Sequence, residues 1–243
     1  MTDNNYQYLM NGARLTNYSV IPNTVCEMNI SSTAKVIYAK LLNRAQLSAS
    51  KTMYDWNFEH DDGTVDVMVH AKNYVEHYDE MMTNHIGLLF WGDVGTGKSF
   101  MAGCIANALL EKEYTVKMTN FSTIINDLFA CDDKNEYIEA LSKYSLLIID
   151  DLGAERSTEY ATENVFNVID RRYRSGKPLI ITTNLELAEL LEEESVSRKR
   201  IYDRILEMCV PVKVCGASKR VDAVKNKVAF MSACNSNSVD INE

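Results

Sequence analysis

The chain has 243 residues, 46% of them hydrophobic, and a formal net charge of −9. That length suffices for one α/β domain plus a small extra piece, and the apolar content excludes wholesale disorder. Proteins that coat nucleic acid by bulk electrostatics are basic, so the charge confines any nucleic-acid contact to local clusters.

In chain order, Met1–Tyr8 is polar and lacks Lys and Arg, so it does not read as a signal peptide. No run is apolar enough to span a membrane, and no membrane partner is expected. Ser31–Leu47 is an amphipathic helix candidate, with Ala34, Ile37, Tyr38, Leu41 and Leu42 on one face. Ser48–Gly63 is polar and acidic and reads as a linker, and Val65–Met81 reads as helical. The expected organisation is an N-terminal helical segment over 1–50, a linker over 51–64, a core over 65–230 and a flexible tail over 231–243.

From Gly87 the pattern alternates. Strands are expected at Gly87–Trp91, Thr115–Thr119, Leu146–Asp150, Leu179–Thr183 and Val210–Val214. Helices are expected at Lys98–Leu110, Ser122–Ala130, Glu136–Lys143, Thr158–Tyr173, Leu187–Glu193 and Arg198–Glu207. Continuously apolar strands alternating with helices predict an α/β fold, a parallel sheet covered on both faces. Ligands of such sheets bind at the carboxyl ends of the strands.

The cysteines Cys26, Cys104, Cys131, Cys209, Cys215 and Cys234 form no C-x-x-C pair and have no nearby His. Reduced core thiols and a cytoplasmic location follow. Arg171, Arg172, Arg174 and Lys177 form one basic cluster, and Arg198, Lys199 and Arg200 another. Each is either a local nucleic-acid contact or a complement to a helix dipole.

Gly92–Asp93–Val94–Gly95–Thr96–Gly97–Lys98–Ser99 fits G-x-x-x-x-G-K-[ST], between an expected strand and an expected helix. The glycines let successive backbone N–H groups aim at phosphates, and the helix N-terminus adds partial positive charge. Lys98 can reach the β- and γ-phosphates, and Ser99 offers magnesium a hydroxyl.

Leu146–Ile149 delivers Asp150 and Asp151 at a strand end. Asp150 would hold magnesium through water, and Asp151 would orient an attacking water. The strand Leu179–Thr183 ends at Asn184, whose amide could bind a γ-phosphate and the lytic water, or could cap the next helix. Arg200 and Arg204 then share one helix face, and Arg220 follows the last strand.

With these motifs in series, the chain resembles the AAA+ ATPases of the DnaC-type helicase loaders, especially those of phages and Gram-positive bacteria. The matching segments are Ala71–Val75, Gly87–Ser99, Leu146–Glu155, Arg171–Asn184, Arg200–Cys209 and Gly216–Arg220, spread from about Phe58 to Val228. The resemblance implies a P-loop AAA+ core binding ATP and Mg²⁺. In it Gly92, Gly97, Lys98 and Ser99 form Walker A, Asp150 and Asp151 Walker B, and Asn184 sensor 1. Arg204 would be an arginine finger acting on a neighbour's ATP, with Arg200 its substitute, and Arg220 a sensor-2-like arginine. Implied partners are a replicative helicase, weakly bound single-stranded DNA, and further copies of the chain joined through the ATP site.

Two departures stand out. Asp151 takes a place where many AAA+ enzymes carry Glu, so slow hydrolysis is expected. The short stretch after Val214 leaves room only for a reduced or absent helical lid. Tyr18–Ser48 is similar to the opening of the winged-helix domain of some replication initiators, as a remnant or as an amphipathic helix alone. The cysteine spacing does not fit the zinc-binding N-terminal domain of some relatives. A transposition helper of the IstB type, assembling on duplex DNA, is the alternative function.

Overall fold

The structure, a computed structural model, describes Ser31 and residues 56–61, 63, 67–154, 158–216, 218, 227–228 and 231–232. Internal contacts divide the chain into Met1–Met53 and Tyr54–Glu243, and the second unit is described here. Apart from Ser31, the N-terminal helix candidate lies outside the described residues, as do Arg220 and the tail beyond Ser232. Among the described residues no helix is long and apolar enough to cross a membrane.

The strands are β1 (Gly87–Trp91), β2 (Val116–Asn120), β3 (Leu146–Leu152), β4 (Leu179–Thr183) and β5 (Cys209–Lys213). They form one five-stranded sheet in the order β2-β3-β4-β1-β5, and every pairing is parallel. Leu88, Leu89, Phe90, Ile148, Ile149, Ile180 and Ile181 are all buried. Both faces of these strands are therefore covered, as continuous aliphatic runs require. Each such side chain contributes roughly 1.5–3 kcal/mol by leaving water. Pro211 falls in β5, an edge strand, where a residue with no N–H to donate is tolerated.

The helices are α1 (Met68–Glu76), α2 (Tyr78–Thr83), α3 (Lys98–Glu111), α4 (Phe121–Ala130), α5 (Lys134–Lys143), α6 (Glu159–Ser175), α7 (Leu187–Leu191) and α8 (Val196–Met208). Their ends follow local chemistry. The Asn120 and Asp133 side chains cap α4 and α5, and the Thr158 hydroxyl accepts from Ala161 N–H at the start of α6. Gly176, at φ 63°, ends α6 in the left-handed conformation that glycine adopts without steric cost.

Three expectations are corrected. The single helix expected over Val65–Met81 is two, because His77 leaves helical geometry (φ −103°, ψ 28°). Part of the expected linker is docked on the core: Asn107 Nδ2 donates to Trp56 O at 2.6 Å, and the Trp56 ring meets Phe100 edge-on at 5.9 Å. β3 runs two residues beyond its expected end at Asp150, to Leu152.

In the first basic cluster, Arg172 serves the fold. Arg172 is 1% exposed. Its guanidinium donates to the carbonyls of Ser142 (3.3 Å), Tyr144 (2.8 Å), Ser145 (3.0 Å) and Pro178. It thereby ties the end of α5 and the approaches to β3 and β4 together. Burial lowers its pKa to about 10, so it stays charged at neutral pH. Arg171 pairs with Glu139, Arg174 with Asp170 at 2.9 Å, and Lys177 donates to Lys143 O.

Arg172→Leu leaves several buried carbonyls unpaired, so a stability loss of at least ~3 kcal/mol is expected, read as a lower urea midpoint at unchanged slope. Arg171→Ala, at an exposed pair, should change stability by no more than ~0.5 kcal/mol. A cost below ~1 kcal/mol for Arg172→Leu would remove the anchoring role.

Candidate nucleotide site

The phosphate-loop motif lies where the sequence places it, between β1 and α3. Gly97 precedes α3 at φ 101°, a region closed to ordinary side chains, and no side chain caps the helix. That end of α3 carries the partial positive charge that favours an anionic ligand. Gly92 adopts φ 124°, and a Cβ there would lie 2.8 Å from Val214 O. Thr96 is buried and its hydroxyl donates to Asp93 O at 2.9 Å, which fixes the turn. Asp93 and Val94 are exposed at the tip, with Gly95 partly so.

Lys98 is 5% exposed, and its Nζ donates to Gly92 O at 2.7 Å and Asp93 O at 2.6 Å. The ammonium therefore sits inside the curl of its own loop. Ser99 is partly exposed in the first turn of α3.

Sheet order brings the other motif residues to the same rim. β4 lies between β1 and β3, with Trp91 opposite Thr183 and Thr183 opposite Leu152. Gly92, Asn184 and the acids of β3 consequently leave the sheet side by side. Asp150 is half-buried and Asp151 exposed. Asp151 has φ 56°, a left-handed conformation uncommon outside glycine but tolerated by Asp and Asn. Its backbone N–H donates to Thr182 Oγ1 at 2.9 Å, and the Thr182 hydroxyl donates to Asp150 Oδ1 at 2.5 Å. Asn184 Nδ2 lies 3.5 Å from Asp151 Oδ1, a long contact.

Asn184 does not cap the following helix. The cap of α7 is Glu186, in a reciprocal capping box with Glu189. The Asn184 amide is instead turned toward Asp151.

Arg204 is held within its own subunit. Its guanidinium pairs with Asp170 Oδ1 at 2.6 Å and lies over the rings of Phe166 (4.6 Å) and Tyr173 (5.7 Å), so it rests against α6. Arg200, one turn earlier on α8, is exposed. The residue that sequence reasoning missed is Thr182. Its signal was a hydroxyl in an otherwise aliphatic buried strand, next to Thr183, whose own hydroxyl donates to Leu152 O at 2.8 Å and accepts from Leu185 N–H at 3.1 Å.

A model of the IstB-like ATP binding proteins matches residues 17–227. The chain belongs to that family. The replicative helicase loader DnaI of Bacillus subtilis (strain 168) is 28% identical over 164 residues, covering 62% of this chain and 52% of the relative. The replicative helicase loader DnaC of Escherichia coli (strain K12) is 30% identical over 148 residues, covering 58% and 59%. The chain thus spans little more than half the length of these two curated relatives.

Among solved structures, the crystal structure of DnaI aligns with a TM-score of 0.57 at 23% identity, covering 66% of this chain and 92% of that one. Domain III of the Thermotoga maritima replication initiation protein DnaA aligns with a TM-score of 0.54 at 23% identity, covering 66% and 67%. These likenesses establish the fold, a parallel sheet flanked by helices with the phosphate loop at the carboxyl end of β1.

Proposed function

We propose that the protein is a slow AAA+ ATPase that loads a replicative DNA helicase, with its nucleotide state setting assembly on the helicase and on single-stranded DNA. The observation that carries this reading is the common rim of β1, β4 and β3, which gathers the phosphate loop, both acids and Asn184. The helicase is inferred from the relatives that bear the loader name. The family's own description supports the second reading, a transposition helper of the IstB type.

The residues fit Mg·ATP. The loop offers N–H donors and one buried ammonium to a polyphosphate. Ser99 and Asp150 are hard oxygen donors of the kind that accompany phosphate and water around magnesium. Bound there, the ion would neutralise charge developing on the transferred phosphoryl group. Lys98 would exchange its two carbonyl contacts for phosphate oxygens. Asp151 would orient the lytic water, and Asn184 would hold it against the γ-phosphate. Arg220 would add a sensor-2-like cation. The shorter reach of Asp151 relative to a glutamate is the reason for slow turnover.

We further propose that α8 supplies an arginine to a neighbouring copy's site. Arg204 is the residue implied by the family resemblance, and reaching a neighbour requires it to leave Asp170. Arg200 is already exposed and would act in its place. Lys199 and Arg200 are basic groups left open on α8, so contact with single-stranded DNA should be weak and steeply weakened by salt.

Asp151→Asn preserves the left-handed backbone, since Asn tolerates it as Asp does, and should bind Mg·ATP while slowing hydrolysis on the order of 10²-fold. Asp150→Asn should instead weaken magnesium-dependent binding. Identical profiles for the two variants would refute this division of labour.

A mixture of Lys98→Ala and Arg204→Ala proteins should recover turnover that neither has alone, because one copy keeps the loop and the other the arginine. If mixed assemblies form without recovery, the same mixture made with Arg200→Ala decides between the two arginines. Failure of both mixtures excludes an arginine acting across the interface.

The function itself is tested by passing the replicative helicase of the same cell over the immobilised protein. Retention should require ATP and be lost with Lys98→Ala, while a labelled single-stranded oligonucleotide should be retained only at low salt. Equal retention with and without nucleotide, or retention of a transposase instead, would overturn the loader reading.

A further inference from the structure

We propose that Thr182 is a positioning residue that sets the working geometry of both acids on β3, an inference resting on the Mg·ATP reading above. The argument begins with the ladder between β3 and β4. Ile149 is opposite Ile181, and the next pair is Leu152 with Thr183, with a register shift between them. β3 therefore carries one more residue than β4 over this interval, which is the pattern of a bulge. Asp150 and Asp151 are the residues bulged out, and Thr182 is the residue they face.

A bulge leaves backbone groups that the ladder cannot satisfy, and it permits more than one course for the strand. The Thr182 side chain removes that freedom. It is fully buried, so its hydroxyl has no competing water. Its one proton goes to Asp150 Oδ1 at 2.5 Å, and its oxygen accepts the Asp151 N–H at 2.9 Å. The first bond fixes which Asp150 oxygen remains for a cation or its water. The second holds Asp151 at φ 56°, from which its carboxylate reaches the Asn184 amide. One hydroxyl thus determines the aim of the magnesium-side acid and the backbone of the water-side acid.

Hydrogen-bond partners behind ligating carboxylates typically contribute 10–100-fold to metal affinity or activity. Thr182→Val is close to isosteric and deletes only the hydroxyl. With the full-length protein, the Mg²⁺ concentration for half-maximal binding of a fluorescent ATP analogue should rise about 10-fold. The turnover number should fall by about 10-fold with little change in KM for ATP. Thr182→Ser, which keeps the hydroxyl and loses a methyl, should restore both. Thermal melting of each variant reports folding, and Thr182→Ala stands in if the valine protein does not fold.

An unchanged Mg²⁺ midpoint and turnover number without the hydroxyl would overturn the proposal. So would a serine variant as impaired as the valine one, since the effect would then be one of packing. If the unaltered protein binds Mg·ATP but does not hydrolyse it, the ATPase reading falls alone and the Mg²⁺ midpoint still judges Thr182. If it binds no Mg·ATP, both readings fall together.

Discussion

β4 is hydrogen-bonded on both sides, to β1 and to β3, in parallel register. Because the strands are parallel, every carboxyl end faces the same rim. Because β4 is central, the loop after β1 and the acids of β3 stand one strand apart on either side of Asn184. A sheet with β4 at an edge would keep every motif in the sequence and lose the site. The aliphatic character of Leu179–Ile181, wholly buried, is what commits this strand to the middle.

Charge is distributed to the same end. The chain is strongly acidic, and cations that could have advertised a polyanion surface are used inside the molecule. Arg172 is consumed by backbone carbonyls between α5, β3 and β4, where it holds the amino-terminal approaches of β3 and β4. Lys98 is held by the loop it serves. A buried ammonium that donates to backbone carbonyls gains by exchanging them for charged oxygens, since bonds between ionised groups are the stronger kind. The loop is thus preorganised around its cation, and the anion completes it.

Much of this was legible in the sequence. β1, β3 and β4 were readable because buried parallel strands are aliphatic without interruption; β1 and β4 have their expected bounds, β2 and β5 are displaced by one residue, and β3 ends two residues later. The phosphate loop was readable because its glycines, Lys98 and Ser99 have fixed spacing. The exceptions share a physical origin in contacts between residues distant along the chain. Arg171, Arg172 and Arg174 look alike in sequence, yet only Arg172 faces the sheet, because one residue of rotation on α6 is about 100°. Asp170 is the reason Arg204 lies inward, and it sits far from Arg204 along the chain. The bulge that swings Asp150 and Asp151 out depends on strand register, which no local pattern encodes, and with it the role of Thr182 was hidden.

The central claim is that the carboxyl ends of β1, β4 and β3 form one Mg·ATP site. A crystal structure with magnesium and a non-hydrolysable ATP analogue tests it most directly. The account predicts Lys98 Nζ withdrawn from Gly92 O and Asp93 O onto the β- and γ-phosphates. It also predicts Ser99 and Asp150 facing the ion, with Asp151 still left-handed and bonded to Thr182. Nucleotide bound elsewhere, or bound here with Lys98 still on its loop carbonyls and Asp150 turned from the ion, would contradict it.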